Sequence, residues 1–175
     1  MRLPALKHLI EAVDALARSE RICVLGSSAL LGSFPELGEK DGPLEFTFDA
    51  DLLLQPCDDD LAALLHEAVG EGSLFARRTG YHADVLRPEI VETLPSGWES
   101  RLVPFEGSVH AVALAPEDLL VVKLRVGLAK DLELCRAVIQ RGLISIPALR
   151  ARVDATPFDE SEVKSVYQRL QHVTS

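Results

Sequence analysis

The sequence has few aromatic side chains, few cysteines and too little positive charge to balance its acids. Aromatics are 5% of 175 residues, with one Trp and two Tyr. A core built from this chain is therefore aliphatic, and a hydrophobic content of 47% is enough to build one. The cysteines, Cys23, Cys57 and Cys135, are odd in number and contain no CxxC pair. That argues against a disulfide framework or a cysteine zinc site, and it fits a reducing compartment. Lys and Arg number 18 against 27 Asp and Glu, a net charge of −9. Stable nucleic-acid binders usually carry a basic excess, so this balance disfavours such a role while leaving room for a local basic cleft. No apolar run approaches the roughly 18–20 residues that span a bilayer. No secretory signal is visible either, because Lys7, Glu11 and Asp14 interrupt the stretch where one would be apolar. The expectation is a soluble, cytoplasmic protein with no membrane partner.

What is present reads as an α/β chain. Leu6, Leu9, Ile10, Val13 and Leu16 recur at helical spacing over residues 3–18, with Pro4 in the first turn. Residues 21–25 are a short apolar strand, followed at once by Gly26-Ser27-Ser28 and a helix opening at Ala29. Residues 34–44, rich in Gly, Pro and charge, read as a loop, and 46–54 as a strand. Asp58-Asp59-Asp60 starts a helix to about Val69, with acids where the helix dipole favours them. A strand is best placed at 81–86, irregular chain at 88–104, and another strand at 109–114. Helices follow at 116–126, 130–141, 147–153 and 160–172. The pattern predicts a mixed sheet flanked by helices over 1–115 and a helical part over 116–175, packed as a single compact unit.

Two stretches carry possible chemistry. In the strand 46–54, Asp49 and Asp51 stand two residues apart, which puts both side chains on one face. Like charges so placed repel unless a cation neutralises them, and hard carboxylate oxygens suit Mg²⁺. An edge strand with both aspartates simply solvated is the alternative. Gly26-Ser27 stands at a strand-to-helix corner, where amide N–H groups and a hydroxyl can hold phosphate oxygens. Taken alone, these two residues are usually just a turn with an N-cap, and they match neither the Walker nor the dinucleotide pattern.

Taken together, an apolar strand ending in Gly26-Ser27 and a later strand bearing Asp49-Ala50-Asp51 resemble the nucleotidyltransferase superfamily that includes DNA polymerase beta. Residues 70–86, 94–103 and 116–134 extend the likeness toward small prokaryotic nucleotidyltransferase-like proteins related to AbiEii-type toxins. The resemblance implies transfer of an NMP from an NTP, with Mg²⁺ as cofactor, to a hydroxyl of RNA or protein. It also implies a place in a toxin–antitoxin pair with a partner protein. It assigns Asp49 and Asp51 to the metal and Asp84 as a third carboxylate and candidate base. Gly26, Ser27, Lys123, Lys130 and Asp131 it assigns to the nucleotide. Asp84 also fits a surface aspartate near a strand end, and Lys123 a snorkelling lysine. Lys130 follows Lys123 by seven residues, near the same face if no break intervenes at Gly127, and Asp131 is placed to orient either lysine. His82, beside Asp84, reads as a structural histidine, with lining the cleft as the alternative. Trp98 with Arg101 reads as a packing and ion-pair unit.

The chain departs from the superfamily pattern in two places. Glu45-Phe46-Thr47 stands where relatives often carry Arg or Ser, and Leu128-Ala129 where an arginine often precedes Lys-Asp. Both changes remove positive charge or a polar contact from the expected triphosphate environment. A non-catalytic member that binds a nucleotide or a partner protein is therefore the competing reading.

Overall fold

A computed structural model describes residues 1–108 and 110–175, and divides them into two compact units. The first comprises Met1–Pro88 and Leu102–Leu114, and it contains the whole sheet. The second comprises Glu89–Arg101 and Ala115–Ser175.

In the sheet unit, α1 (Leu3–Ala17) buries Leu6, Leu9, Ile10 and Val13, the apolar stripe expected from their spacing. It stops at Arg18, whose φ of 48° takes the chain out of the helix. β1 (Arg21–Val24) follows, with Ile22, Cys23 and Val24 completely buried. That burial on both faces is what a central strand demands. β1 pairs antiparallel with β2 (Asp49–Gln55) and parallel with β5 (Ala111–Ala113). β3 (His82–Val85) runs parallel to β2, and β4 (Val103–Pro104) antiparallel to β5. The sheet order among the described residues is β3-β2-β1-β5-β4. Val109, placed by the sequence at the start of the last strand, lies outside the described residues.

The structure corrects four local expectations. The helix expected from Ala29 is a 3-10 helix beginning at Ser27 and ending at Gly32. The strand expected from Phe46 starts at Asp49, because Glu45 N–H bonds Gly42 O and Thr47 N–H bonds Leu44 O, making consecutive turns. Phe46 is 78% exposed, so its β-favouring apolar character is not used in the sheet. The loop at 34–44 includes a 3-10 turn at Pro35–Gly38. A short helix not foreseen, α3 (Leu74–Thr79), follows α2 (Asp59–Val69); Ser73 caps its start and Gly80, with φ of 82°, its end. α2 itself begins as expected, with the Asp58 side chain accepting from Leu61 N–H.

The helical unit consists of α4 (Pro116–Val126), α5 (Ala129–Gln140), α6 (Ile146–Asp154) and α7 (Glu160–Thr174), with the 89–101 segment. α4 is its centre, burying Leu119, Leu120, Val121 and Leu124 and touching the other three helices. Asp118, in the first turn of α4, is completely buried. Arg101 grips it through two hydrogen bonds of 2.8 and 3.0 Å, and Arg152 lies 3.4 Å away. Trp98 is buried as well, so Trp98 and Arg101 are the packing and ion-pair unit their composition implied. Among the described residues no helix is long and apolar enough to cross a membrane.

Candidate functional site

The parallel pairing of β2 and β3 builds the site. It sets Asp49 opposite His82 and Asp51 opposite Asp84. Residues opposite one another in a parallel ladder point to the same face, so all four side chains leave the sheet together. The opposite face of this pair carries Ala50, Leu52 and Ala83, each buried to within 1%. One face thus anchors the strands in the core while the other presents carboxylates.

Asp49, Asp51 and Asp84 each offer an oxygen, and these oxygens lie within 4.8 Å of one another. All three residues are partly exposed. Three carboxylates at this spacing repel, and the repulsion is relieved by a cation that draws them into one shell. His82 Nε2 lies 3.8 Å from Asp84 Oδ1, with the histidine side chain 19% exposed and the aspartate 46%.

Gly26 forms the floor beside this face. A Cβ on Gly26 would stand 1.7 Å from Asp51 Oδ2 and 2.6 Å from its carboxyl carbon. The space that any side chain at position 26 would fill is therefore taken by the carboxylate. Leu25 N–H donates to Asp51 O at 2.9 Å, which holds the two strands in the register that brings this about. A glycine cradle behind one of three converging hard oxygen donors fits a small divalent cation such as Mg²⁺. Ser27, half-buried, opens the 3-10 helix next to the cradle. Among the described residues, the buried Ser28 hydroxyl that follows has no hydrogen-bond partner.

The remaining residues assigned by resemblance, Lys123, Lys130 and Asp131, belong to the helical unit. Gly127, with φ of 70°, ends α4, so Lys123 and Lys130 do not share one continuous helix. The break lets α5 bring Asp131 to Lys123, and the two form an ion pair of 2.9 Å with the lysine 17% and the aspartate 4% exposed. Asp131 therefore orients Lys123, while Lys130 is exposed. The break is fixed by Arg169, whose Nη1 donates to Leu124 O and Arg125 O and whose guanidinium covers Gly127.

A separate depression of about 520 Å³ in the sheet unit is lined by Lys7, Glu11, Asp14, Phe105 and His110. None of the three aspartates lines it, and the convergence of donor atoms, not concavity, marks the site. The sequence did not foresee the placement of His82 beside Asp49, since strand register depends on the partner strand. Nor did it foresee the steric role of Gly26. A glycine preceding a paired-aspartate strand was the available signal.

A family model described as "Nucleotidyltransferase of unknown function (DUF6036)" matches residues 1–174. Neither a curated protein nor a solved structure gave a match.

Proposed function

Because the chain belongs to this family of nucleotidyltransferases of unknown function, we propose that it transfers a nucleoside monophosphate from an NTP to a hydroxyl of a macromolecule, RNA or protein. The observation that supports this reading is the meeting of Asp49, Asp51 and Asp84 on one face of β2 and β3. In the proposed reaction the acceptor oxygen attacks the α-phosphorus, the bond to the bridging oxygen of the β-phosphate breaks, and pyrophosphate leaves. Asp84 takes the proton of the attacking hydroxyl. Asp49 and Asp51 hold Mg²⁺, which when bound supplies charge stabilisation for the phosphoryl oxygens. Gly26 and Ser27 bind the β- and γ-phosphates through amide and hydroxyl groups. The resemblance also assigns Lys123, with Lys130, to offsetting phosphate charge, and within the helical unit Asp131 pairs with Lys123.

The test is incubation with labelled NTPs, Mg²⁺ and cell RNA or protein, beside an Asp49→Ala variant. Label transferred by the wild type and lost in the variant is the expected result. Transfer that survives the substitution overturns the assignment. The likeness to AbiEii-type toxins extends the reading to one half of a toxin–antitoxin pair, in which a partner protein restrains the activity.

One observation favours a second reading. Glu45 and the 78%-exposed Phe46 stand shortly before Asp49 in the chain, where relatives often carry Arg or Ser. That replacement suits a non-catalytic member that binds a nucleotide or a partner protein. Calorimetry with NTP and Mg²⁺ separates the two when it shows binding without any label transfer.

A further inference from the structure

We infer that the depression between α1 and the residues following β4, in the sheet unit, is a binding site for a small aliphatic polyamine. The site is separate from the three aspartates and independent of the proposed NTP chemistry.

The depression encloses about 520 Å³, within the range of roughly 300–1,000 Å³ that small-molecule pockets occupy. One wall is a stripe of α1: Lys7, Ile10, Glu11 and Asp14, spaced i, i+3, i+4 and i+7 and so on one helix face. Phe105 and Glu106 belong to the other wall. Ile10 and Phe105 are both buried and form an apolar floor. The Phe105 ring also packs beside Gly32 at the end of the 3-10 helix, where an added Cβ would stand 3.3 Å from it. The floor is therefore fixed by the fold before any ligand arrives.

Three carboxylates, Glu11, Asp14 and Glu106, stand against one lysine in this lining, with His110 the other titratable group. Among the described residues none of the three has an ion-pair or side-chain hydrogen-bond partner. Lys7 precedes Asp14 by seven residues, about 10 Å along the helix axis. Salt screens charges over roughly 8 Å, so the lysine does not cancel that aspartate. A concave surface with uncompensated charge of one sign concentrates ions of the other.

The spread of the charge separates an organic cation from a metal ion. Among the described residues, only Asp49, Asp51 and Asp84 bring three donor atoms within 4.8 Å of one another. Glu11, Asp14 and Glu106 do not converge in this way, so their charge is distributed over the cavity. A hydrated metal ion would also leave the apolar floor unused. An aliphatic polyamine matches both features. Its separate ammonium groups reach carboxylates on the two walls, and the methylenes between them cover Ile10 and Phe105.

The experiment is calorimetric titration of the full-length protein with spermidine at physiological ionic strength. The proteins are the wild type, the double variant Glu11→Gln/Asp14→Asn, and Asp49→Ala. A fourth, Glu67→Gln/Glu71→Gln, removes the same charge from exposed positions elsewhere in the sheet unit. Circular dichroism is the folding control. The expected result is one saturable site in the wild type, weakened tenfold or more by Glu11→Gln/Asp14→Asn and less than twofold by the other two variants. Equal weakening by the two double variants reduces the binding to attraction by net charge and overturns the proposal. Weakening by Asp49→Ala as large as by the cavity variant puts the polyamine at the β2–β3 carboxylates and also overturns it. So does a wild type without saturable binding. None of these outcomes bears on the NTP reading, which label transfer decides. A readout on the wild type alone guards against misfolded variants. Nuclear Overhauser effects between spermidine methylenes and the Ile10 side chain are expected, and their absence overturns the proposal.

Discussion

Asp51 Oδ2 stands 1.7 Å from the point where a Cβ on Gly26 would be built. Gly26 has φ of −84°, which any L residue adopts, so its backbone conformation does not require glycine. The neighbouring carboxylate does. Gly26→Ala keeps the backbone and forces Asp51 off its rotamer, since the Leu25–Asp51 backbone bond holds the strands together. The expected outcome is a stability loss of about 1–3 kcal/mol, typical of inserting a methyl into a filled space. Mg²⁺ affinity is expected to fall at least tenfold. Urea unfolding and metal titration check the two effects independently. An alanine variant with wild-type metal affinity would show that Asp51 does not need its present position.

The second prediction concerns Asp118, which is fully buried and held by Arg101 and Arg152. Taking Arg101 away leaves a buried carboxylate with one longer contact, and uncompensated buried charges of this kind cost about 3–5 kcal/mol. Arg101→Ala is therefore expected to destabilise the helical unit by that order. Arg101→Lys is also expected to weaken it, because an ammonium cannot reproduce the two-pronged bond. Hydrogen exchange of α4 and α6 amides reports the loss locally, separate from the sheet unit. Unchanged protection in Arg101→Ala would remove this pair from the account of what holds the unit together.

Much of this was legible from the chain, and the failures share a cause. α1 announces itself by apolar residues at the helical period, and β1 by the short unbroken apolar run of a strand buried on both faces. α3 does not, since none of its six residues is buried and nothing in its sequence repeats. The start of β2 was misjudged at Phe46 because β propensity describes a residue that packs, and this one faces solvent. At the site, Asp49 and Asp51 were readable from their spacing, which is a property of one strand. That His82 faces Asp49, and that Asp51 fills the vacancy at Gly26, are properties of two strands in register. The same holds for Lys123: its sequence neighbourhood offered Asp131 as a partner, but only the turn at Gly127 completes the pair.

Cys135 supplies a pH prediction. Burial pushes its thiol up to about 12, with Asp131 adding to the shift and Lys123 opposing it. A thiol exposed by unfolding ionises near 9. Between these values the unfolded chain has lost a proton that the folded chain keeps, so alkali favours unfolding. The contribution is complete below pH 9 and is lost as pH rises from 9 toward 12. Cys135→Ala is expected to flatten that part of the stability profile measured by urea unfolding. A thiol reagent at neutral pH should modify Cys57, the partly exposed cysteine, before Cys135 and Cys23, which are buried. Rapid labelling of Cys135 in the folded protein would contradict its burial.

Adjacent serines at the Gly26 corner are expected to respond in opposite ways. Ser28 is 1% exposed, and among the described residues its hydroxyl has no hydrogen-bond partner. A buried hydroxyl without a partner costs roughly 1–3 kcal/mol relative to leaving it in water. Ser28→Ala removes that hydroxyl and leaves only a small gap, so it should raise stability by about 1 kcal/mol. Ser27 is half-buried and opens the 3-10 helix beside the Asp51 carboxylate. Ser27→Ala should leave unfolding within about 0.5 kcal/mol of wild type, as surface substitutions usually do. It should instead weaken NTP binding several-fold, measured by calorimetry with Mg²⁺ present. The pair is expected to separate scaffold from site: Ser28 to cost stability without affecting NTP binding, and Ser27 to affect NTP binding without changing stability. A Ser28→Ala protein less stable than wild type would show that the buried hydroxyl is satisfied in solution. NTP binding untouched by Ser27→Ala would remove that serine from the phosphate site.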